Sequence, residues 1–458
     1  MRTAYDTRIS FENLQRNFQE VETGMSKQEA LEEANRCLYC YDAPCIKACP
    51  TGIQIPAFIK KIASGNLKGS AKTIMSANPM GASCSRVCPT EELCEGACVL
   101  NDSTKPIMIG HLQRYVTDWA IKNHQALFEK EKTNGKTVAI IGGGPAGLSA
   151  ARELALLGYE VTIYEAQERA GGLNMYGIVS FRLPQEIVSW EVQQVEKLGV
   201  QIITNTRVGE DVQVQDIIQK YDAILLAVGM SVVPSLGIPG EELQGVYDAI
   251  EFVKETKTKP VIHEWLCKKV AVIGAGNTAI DAATCSARLG ASNVKILYRR
   301  TQKEMTAYEF EYEFAKQDGV EFRWLTAPTK IIGDEEGKVT GIECIKMKLG
   351  DKEKDGRQRP VPIEGSEFIL EIDAVIKAIG QTRYVDVIEQ FGLKHEGGVV
   401  IVNPTTYQTS NEKIFACGDV IFGKGVGEAM VVTAAKQGIE SAQRIHQLFE
   451  KSVQETAQ

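Results

Sequence analysis

The sequence predicts an α/β protein in which a helical, cysteine-rich domain precedes two Rossmann-like dinucleotide-binding domains, the first split by the second. Three observations predict this arrangement. Eight of the twelve cysteines lie within the first hundred residues. Two copies of a strand, glycine-rich turn, helix and strand begin about 130 residues apart. Each copy is followed by a buried apolar strand that ends on glycine, at "YDAILLAVG" and at "EIDAVIKAIG".

Changes in composition along the chain place the domain boundaries. A length of 458 residues is too long for one core and suggests about three domains. The linker "KEKTNGK" separates a helical region from the first glycine-rich copy. We therefore predict a cysteine-rich domain at 1–127, the first dinucleotide-binding domain at 135–232, an inserted second one at 233–383, and the return of the first at 384–458.

The bulk properties exclude several classes of partner. A formal charge of -8 and a pI near 5.5 leave no basic domain to neutralise phosphates, which argues against nucleic-acid binding. The start, "MRTAYDTRIS", lacks the features of a signal peptide. Arg152 and Glu153 interrupt the most apolar stretch, so no membrane span is expected. The expected location is cytoplasmic, where clustered cysteines indicate metal binding or catalysis more often than disulfides.

Local patterns predict several elements. Ser26 and Glu29 form a capping-box pattern at the start of a helix just ahead of the first cysteine. A second helical stretch is predicted over 109–132. Residues 320–370 alternate like antiparallel strands, with a turn at Gly337 and the loop "DKEKDGRQRP" between them.

The first glycine-rich turn has the features of a dinucleotide site. Gly142, Gly144 and Gly147 follow an apolar strand and open a helix, and Glu165 ends the next strand. In this arrangement the glycines allow a tight turn and close approach to pyrophosphate, and the acid accepts a ribose hydroxyl. Pro145 and Ala146 complete the predicted contact set. An ordinary strand–helix turn is the alternative.

The second turn predicts a different nucleotide. Gly274, Gly276 and Ala279 repeat the pattern around Asn277, and Arg299 and Arg300 stand at the end of the following strand. A carboxylate there favours the 2′-hydroxyl of NAD, whereas arginine suits a 2′-phosphate. NADP(H) is therefore favoured, while NAD(H) remains possible because both arginines could be solvated surface charge.

Two further motifs suggest an extended ligand in the first fold. They supply the predicted contacts Arg169 and Gly172 in "ERAGG" and Gly418 and Asp419 in "ACGD". The glycines that end the two buried strands, Gly229 in the first fold and Gly380 in the second, are also predicted cofactor contacts. Over 136–458 the chain resembles the flavoprotein disulfide reductase and adrenodoxin reductase group. The resemblance implies FAD in the split domain, with Asp419 bonding the sugar-alcohol chain of the flavin, and NAD(P)H in the inserted domain. No Cys-x4-Cys motif accompanies the first fold, which excludes the dithiol reductases.

The cysteines form two sets, C-x2-C-x4-C-x3-C-P and C-x3-C-P-x4-C-x3-C. Zinc remains an alternative, but closely spaced cysteines ending in Cys-Pro are typical of paired [4Fe–4S] clusters, where the last cysteine binds the other cluster. Crossing of this kind assigns one cluster to Cys37, Cys40, Cys45 and Cys98, and the other to Cys49, Cys88 and Cys94. The second cluster then lacks one ligand, and Cys84 is unassigned.

The motif "CxxCxDAPCxxxCPT…VCPTxxLCxxxC…IGxLQR" resembles the amino-terminal half of dihydropyrimidine dehydrogenases, and the whole chain resembles the flavin and iron–sulfur subunit of the bacterial two-subunit enzymes. The resemblance implies that Gln113 completes the second cluster. It also implies a partner subunit, an FMN-containing TIM barrel that reduces uracil or thymine, since this chain lacks eight βα repeats.

The glutamate synthase small subunit is the nearest rival. Those subunits tend to carry Glu where Gln113 stands and Lys where Arg182 stands in "SFRLP", which favours the pyrimidine interpretation. "YRRTQKEM" fits either family, and transhydrogenase or sulfide dehydrogenase subunits remain open.

The chemistry expected is electron relay, with hydride passing from nicotinamide to flavin and single electrons leaving through the clusters. No catalytic residue is assigned, and a non-catalytic redox sensor is a remote alternative.

Overall fold

The computed structural model describes residues 16–259, 265, 267–352, 356–423 and 429–456. The amino-terminal region is helical, with no strand between residues 16 and 136, all of which are described. Its helices are α1 (Lys27–Arg36), α2 (Pro44–Ala48), α3 (Ile55–Ala63), α4 (Leu67–Ala77), α5 (Gly81–Val87) and α6 (Ile109–Lys122), with a 3-10 helix at Val99–Asp102.

Two predictions about these helices have different outcomes. The capping box before α1 is confirmed: Glu29 N–H donates to Ser26 Oγ and Ser26 N–H to Glu29 Oε2. The predicted helix over 109–132 is too long, because α6 ends at Lys122. His124 adopts a φ of 49°, a left-handed conformation that commonly terminates a helix.

Strands begin with the first glycine-rich copy. The elements of this half are β1 (Thr137–Ile141), α7 (Pro145–Leu156), β2 (Glu160–Tyr164), α8 (Leu173–Tyr176), α9 (Gln185–Glu196), β3 (Gln201–Ile203), α10 (Val214–Lys220), β4 (Ala223–Leu226), β5 (Met230–Val232), β6 (Val246–Asp248) and α11 (Ala249–Thr258). Strands and helices alternate through most of this region, as in doubly wound α/β folds.

The remaining elements start with the second copy. They are β7 (Lys269–Ile273), α12 (Asn277–Arg288), β8 (Asn293–Leu297), α13 (Glu309–Gln317), β9 (Glu321–Arg323), β10 (Thr326–Gly333), β11 (Val339–Lys352), β12 (Gln358–Pro362), β13 (Phe368–Glu371), β14 (Ala374–Lys377), β15 (Thr382–Arg383), α14 (Val385–Gln390), β16 (His395–Glu396), β17 (Val399–Val400), β18 (Ile414–Ala416) and α15 (Val431–Thr456).

The two copies build parallel sheets of the same order. The first sheet is β18-β4-β1-β2-β3 and the second is β6-β14-β7-β8-β9. Ile141 pairs with Tyr164 on one side and Leu226 on the other, and Ile273 pairs equivalently with Leu297 and Lys377. In each sheet the strand before the glycine-rich turn is therefore central. The prediction of two Rossmann-like domains is confirmed.

The predicted antiparallel strands are also present. β11 pairs with β10, β12 and β13, all antiparallel. Gly337 turns the chain between β10 and β11 with a φ of 76°, which a residue with a side chain adopts rarely. The loop predicted at 351–360 is shorter than expected, since β11 runs to Lys352 and β12 begins at Gln358; residues 353–355 lie outside the described residues.

The chain divides into two compact units. One comprises the described residues up to Val21, Tyr176–Phe181 and Ser231–Thr382; the other comprises Glu22–Met175, Arg182–Met230 and the described residues from Arg383 onward. The inserted sheet lies in the first unit, and the helical region and the first sheet lie in the second. The boundary between the cysteine-rich domain and the first fold remains a prediction. None of the described helices combines the length and apolar character needed to cross a membrane.

Helices α7 and α15 approach each other closely. A Cβ added at Gly438 would lie 2.2 Å from the Ala146 carbonyl oxygen, well inside van der Waals contact. The neighbouring Gln437 accepts a hydrogen bond from Gly418 N–H at 2.8 Å, so the same turn of α15 also fixes the segment after β18. The absence of a side chain at position 438 thus allows α15 to lie against the start of α7.

We expect Gly438→Ala to destabilise the protein by about 1–3 kcal/mol, because the added methyl group meets backbone that cannot move freely. Helix propensity alone predicts the opposite sign, about 1 kcal/mol of stabilisation. Equilibrium urea unfolding of the cofactor-loaded protein measures the difference. Gln447→Ala, at an exposed site on the same helix, is the control and should change stability by less than about 0.5 kcal/mol. A more stable Gly438→Ala variant contradicts the close contact.

Candidate cofactor-binding sites

The first glycine-rich turn has no room for side chains at two of its three glycines. Gly142 has a φ of 107°, and an added Cβ would lie 2.5 Å from the Ala227 carbonyl oxygen. A Cβ at Gly147 would lie 2.0 Å from the Gly142 carbonyl oxygen. Backbone therefore approaches backbone at the carboxyl ends of β1 and β4, where doubly wound sheets bind their ligands. Pro145 and Ala146 form the first turn of α7, whose N–H groups suit a pyrophosphate.

Glu165 lies beside this turn as the fingerprint requires. Its Oε2 accepts the Gly143 N–H and its Oε1 accepts the Gln167 N–H, both at 2.8 Å. Burial raises the pKa of the Glu165 carboxyl, and the N–H groups of Gln167 and Gly143 oppose that shift. Each carboxylate oxygen has capacity for a further donor such as a ribose hydroxyl.

The late "ACGD" motif meets the glycine-rich turn. Gly418 has a φ of 76°, and an added Cβ would lie 2.9 Å from the Cβ of Ala146 at the start of α7. Asp419 follows at once; burial raises the pKa of its carboxyl, and the charge of Arg383 opposes this. The segment is held by Gln437, a buried side chain that the sequence analysis missed. Gln437 lies on α15, 19 residues after Gly418, and no local sequence pattern links the two.

The other predicted cofactor contacts of the first fold do not all lie at the glycine-rich turn. Gly172 lies against the turn, since an added Cβ would be 2.8 Å from the Gly144 Cα. Gly229 follows β4 with a φ of 66°. The Arg169 side chain is exposed and donates to Gln185 Oε1 at 3.4 Å and to Ser189 Oγ at 2.5 Å on α9. The structure thus joins Arg169 to α9, and a contact with the cofactor remains a prediction.

A pocket of about 630 Å³ opens at the second glycine-rich turn. Its lining includes Gly274, Gly276 and Gly380, together with Arg299 and Arg300. A Cβ at Gly274 would lie 2.1 Å from the Ala378 carbonyl oxygen, which repeats the close contact of the first turn. Ala279 is buried in the first turn of α12. Five of the predicted residues of the inserted domain thus line one pocket large enough for a nucleotide.

The two arginines of this pocket are not equivalent, which corrects their treatment as a pair. Arg299 is exposed at the pocket lining, whereas Arg300 is buried and its Nε donates to the Gln358 carbonyl at 2.9 Å. That bond holds the segment carrying Arg357, which also lines the pocket. Arg357 was missed because it lies 58 residues after Arg299 in a charged loop that gave no signal.

Two amide oxygens at this site have no hydrogen-bond partner among the described residues. They are the buried Oδ1 of Asn277, the first residue of α12, and the buried Oε1 of Gln381, which lines the pocket. Buried polar atoms without partners are rare and usually indicate an absent ligand or water. The donors and acceptors present therefore fit a nucleotide.

The predicted metal-ligating cysteines occupy the ends of short helices. Cys37 follows α1, Cys49 follows α2 and Cys88 follows α5, each in extended conformation. A proline comes after both Cys49 and Cys88, and it disfavours helical backbone at the preceding residue. The Cys-Pro pairs thus end their helices and turn the thiols off the helix axes.

The thiols gather into the two predicted groups. Cys37, Cys40, Cys45 and Cys98 line one small pocket with apolar side chains around them. Burial raises the pKa of Cys45 to about 11, and the neighbouring charges of Cys37, Cys98 and Cys40 add to the shift. The hydrogen bond between the thiols of Cys88 and Cys84 raises the pKa of Cys88 most, followed by burial and by the charges of Cys84, Cys94 and Cys49.

These neighbours are compatible with the crossing predicted from spacing, in which Cys98 joins the first set and Cys49 the second, and the assignment of ligands to each cluster remains a prediction. Clustered thiols that resist ionisation fit a polynuclear cation, which stabilises thiolates that would otherwise repel one another. Among the described residues no three His, Cys, Asp or Glu side chains are placed to hold a single metal ion.

Gln113 and Cys84 both contact or belong to α5, the helix that leads to Cys88. Gln113 is 7% exposed, and its Nε2 donates to the Gly81 carbonyl at 2.7 Å. This bond fixes the orientation of the amide, with Oε1 as the remaining acceptor. Cys84 is buried in α5, with its thiol in hydrogen-bond reach of Cys88. The choice between them as the fourth ligand remains a prediction.

Comparisons with known families cover almost the whole chain. Residues 14–125 match the family model described as dihydropyrimidine dehydrogenase domain II, 4Fe-4S cluster. Residues 136–446 match the pyridine nucleotide-disulphide oxidoreductase model. The chain carries a [4Fe–4S] domain and an FAD- and NADP-binding domain, so the cofactor prediction is confirmed.

Curated relatives share both parts. The chain is 37% identical to the beta subunit of the NADP(+)-dependent formate dehydrogenase of Moorella thermoacetica, over 88% of this chain and 60% of that protein. It thus spans less than two thirds of the Moorella subunit. It is 34% identical to the glutamate synthase [NADPH] small chain of Escherichia coli, over 93% of each chain.

Among solved structures, Mycobacterium tuberculosis FprA in complex with NADPH matches with a TM-score of 0.58 at 19% identity, over 70% of this chain and 86% of that chain. At that identity the match shows the fold alone. The two glycine-rich turns, the nucleotide pocket and the family models all indicate a dinucleotide-binding oxidoreductase. The chain belongs to the pyridine nucleotide-disulphide oxidoreductase family, as an NAD(P)H-dependent flavin and iron–sulfur oxidoreductase with an amino-terminal [4Fe–4S] domain.

Proposed function

We propose that this chain is the electron-input subunit of a heteromeric dihydropyrimidine dehydrogenase in the cytoplasm. Electrons from NADPH leave through FAD and two [4Fe–4S] clusters to an FMN-containing TIM-barrel subunit, which reduces uracil or thymine to the 5,6-dihydropyrimidine. When bound, FAD supplies the step from two-electron to one-electron transfer. The observation that supports the choice of partner is Gln113: its neutral amide is buried and donates to the carbonyl of Gly81, the first residue of the helix that leads to Cys88.

The residues of this chain bind the cofactors, orient them and shield them from water. The backbone of the first turn admits a pyrophosphate beside α7, and Glu165 accepts the ribose hydroxyls of FAD. In the second fold, Arg299 and Arg357 take the 2′-phosphate of NADPH while Arg300 holds their segment in place. No side chain needs to act as a general acid or base.

The glutamate synthase small chain is the second candidate, favoured by the 34% identity over 93% of both chains. This interpretation replaces the partner with a large amidotransferase subunit and leaves the cofactors of this chain the same. The match of residues 14–125 to the dihydropyrimidine dehydrogenase domain II model instead supports the pyrimidine enzyme. Gln113 distinguishes the two, because the resemblance places Glu at this position in glutamate synthase subunits.

Arg299→Gln and Arg357→Gln should each raise KM for NADPH about 10–100-fold, because a hydrogen bond to a charged group is worth about 1.5–3 kcal/mol. KM for NADH should stay within about twofold of the parent value, since NADH lacks the 2′-phosphate. Steady-state reduction of an artificial dye measures both. The control is Arg323→Gln, an exposed arginine at the end of β9 outside the pocket lining. Equal losses with NADPH and NADH contradict the phosphate role.

Gln113→Cys should change the EPR spectrum of one reduced cluster and leave the other unchanged, because a thiolate adds a negative charge at the ligand position. Cys84→Ala, which removes a neighbouring thiol, should leave both spectra and the iron content intact. Loss of iron from Cys84→Ala, with no effect of Gln113→Cys, assigns the fourth ligand to Cys84 instead.

Isolation of the full chain with its native partner tests the function directly. A tagged chain, purified from its own cells, should retain an FMN barrel subunit in fixed ratio, and the complex should oxidise NADPH with uracil. The chain alone should reduce dyes but not uracil. A large amidotransferase subunit in the complex, with glutamate formed from glutamine and 2-oxoglutarate, overturns the pyrimidine proposal and establishes the second candidate.

A further inference from the structure

A buried carboxylate lies at the start of the helix that leads to Cys88. Glu191, on α9, is fully buried. Its Oε1 accepts the N–H groups of Ala82 and Ser83, both at 2.9 Å, and its Oε2 accepts the Ser83 hydroxyl at 2.5 Å. The residue before α5, Met80, provides no side-chain cap, so Glu191 binds N–H groups that the helix leaves open.

The same peptide group binds Gln113 on its other side. The Ala82 N–H and the Gly81 carbonyl belong to one peptide unit; the N–H donates to Glu191 and the carbonyl accepts from Gln113 Nε2 at 2.7 Å. A continuous hydrogen-bond chain therefore runs from the Glu191 carboxylate through one peptide to the Gln113 amide. Hydrogen bonds in such chains polarise one another, most strongly at low dielectric.

We infer that Glu191 is a positioning residue for the second cluster: through the Gly81–Ala82 peptide it fixes and polarises the Gln113 amide, and it anchors α5, which ends at Cys88. The inference rests on the proposed role of Gln113 as a ligand. A negative charge at the far end of the chain increases the electron density on Gln113 Oε1. A more electron-rich ligand stabilises the oxidised cluster, so Glu191 lowers the reduction potential.

Glu191 also connects two parts of the chain. Helix α9 follows the first dinucleotide-binding copy, whereas α5 and α6 belong to the cysteine-rich region. One carboxylate thus joins the flavin-binding part of the chain to the helix that leads to Cys88, a predicted cluster ligand. Burial raises the pKa of Glu191 to about 7, opposed by the hydrogen bonds from Ser83 and Ala82 and by the charge of Arg86. Burying an ion typically costs several kcal/mol of folding free energy. The Glu191 carboxylate can therefore stay ionised in this buried position only because these hydrogen bonds stabilise it.

The test is EPR-monitored redox titration of both clusters in the full cofactor-loaded protein. Glu191→Gln keeps the shape and one acceptor oxygen but removes the charge. It should shift the second cluster toward reduction about tenfold, equivalent to ~59 mV for one electron. The first cluster is an internal standard and should not change. Glu196→Gln removes the same charge from an exposed position on the same helix and should shift neither cluster.

A purely structural role would not reproduce this pattern. Ser83→Ala removes one hydrogen bond to Glu191 and keeps the charge, so it should leave the potential unchanged even where thermal stability falls. In a Gln113→Cys background the effect of Glu191→Gln should shrink by at least about half, because the amide that carries the polarisation is gone. Equal shifts in both backgrounds overturn the inference.

The results of these variants distinguish the role of Glu191 from the proposal that Gln113 is a cluster ligand. If Gln113→Cys changes the spectrum of the second cluster but Glu191→Gln shifts nothing, Gln113 is a ligand and the role of Glu191 is wrong. If Gln113→Cys leaves the spectrum unchanged, the ligand proposal itself fails. The Glu191→Gln variant could also lose iron. If it loses the second cluster alone, and Glu191→Asp retains that cluster, the result supports the inference. Loss of both clusters or of FAD overturns it.

Discussion

Contact of backbone with backbone at glycine is the constraint on which both nucleotide folds depend. Added Cβ atoms at Gly147, Gly274 and Gly438 would lie 2.0, 2.1 and 2.2 Å from carbonyl oxygens. Each site brings two elements closer than any side chain allows: helix to strand in the first turn, strand to strand in the second, and helix to helix between α7 and α15. The turns, the late Gly418 segment and the ligands they hold are positioned by those distances.

The cysteine region solves a different problem, since thiols that converge repel one another once ionised. Cys94 illustrates this: burial raises the pKa of its thiol, and the charges of Glu95, Cys49 and Cys45 raise it further. An apolar core, by contrast, excludes charged groups. Short helices that end at Cys-Pro let the thiols converge among apolar side chains, and the positive charge of an iron–sulfur core would offset the repulsion between their thiolates.

The sequence predicted what is encoded within about 20 residues. Glycine spacing and the capping box at Ser26 are local patterns, and the structure reproduces them. The crossing of Cys49 and Cys98 links more distant cysteines and remains a prediction. Contacts between distant segments left no such signal. Gln437 supports Gly418, and Arg300 turns inward to hold Gln358; both depend on burial and on tertiary neighbours that spacing cannot specify. The length of α6 was wrong for a related reason, because a single left-handed residue ended it.

The internal duplication shows how one scaffold comes to hold two ligands. Glu165 N–H donates to the Ile203 carbonyl, and Tyr298 N–H donates to the corresponding Arg323 carbonyl. Tyr298, rather than an arginine, therefore occupies the position of the ribose-binding acid in the second fold. Among the described residues, Tyr298 makes no hydrogen bond to the second turn, its hydroxyl donating to the Glu304 carbonyl instead. Arg299 stands one residue further out, at the exposed lining of the pocket. We propose that the two nucleotides are discriminated by the loss of one carboxylate and the gain of a cation beside it, on sheets of the same strand order.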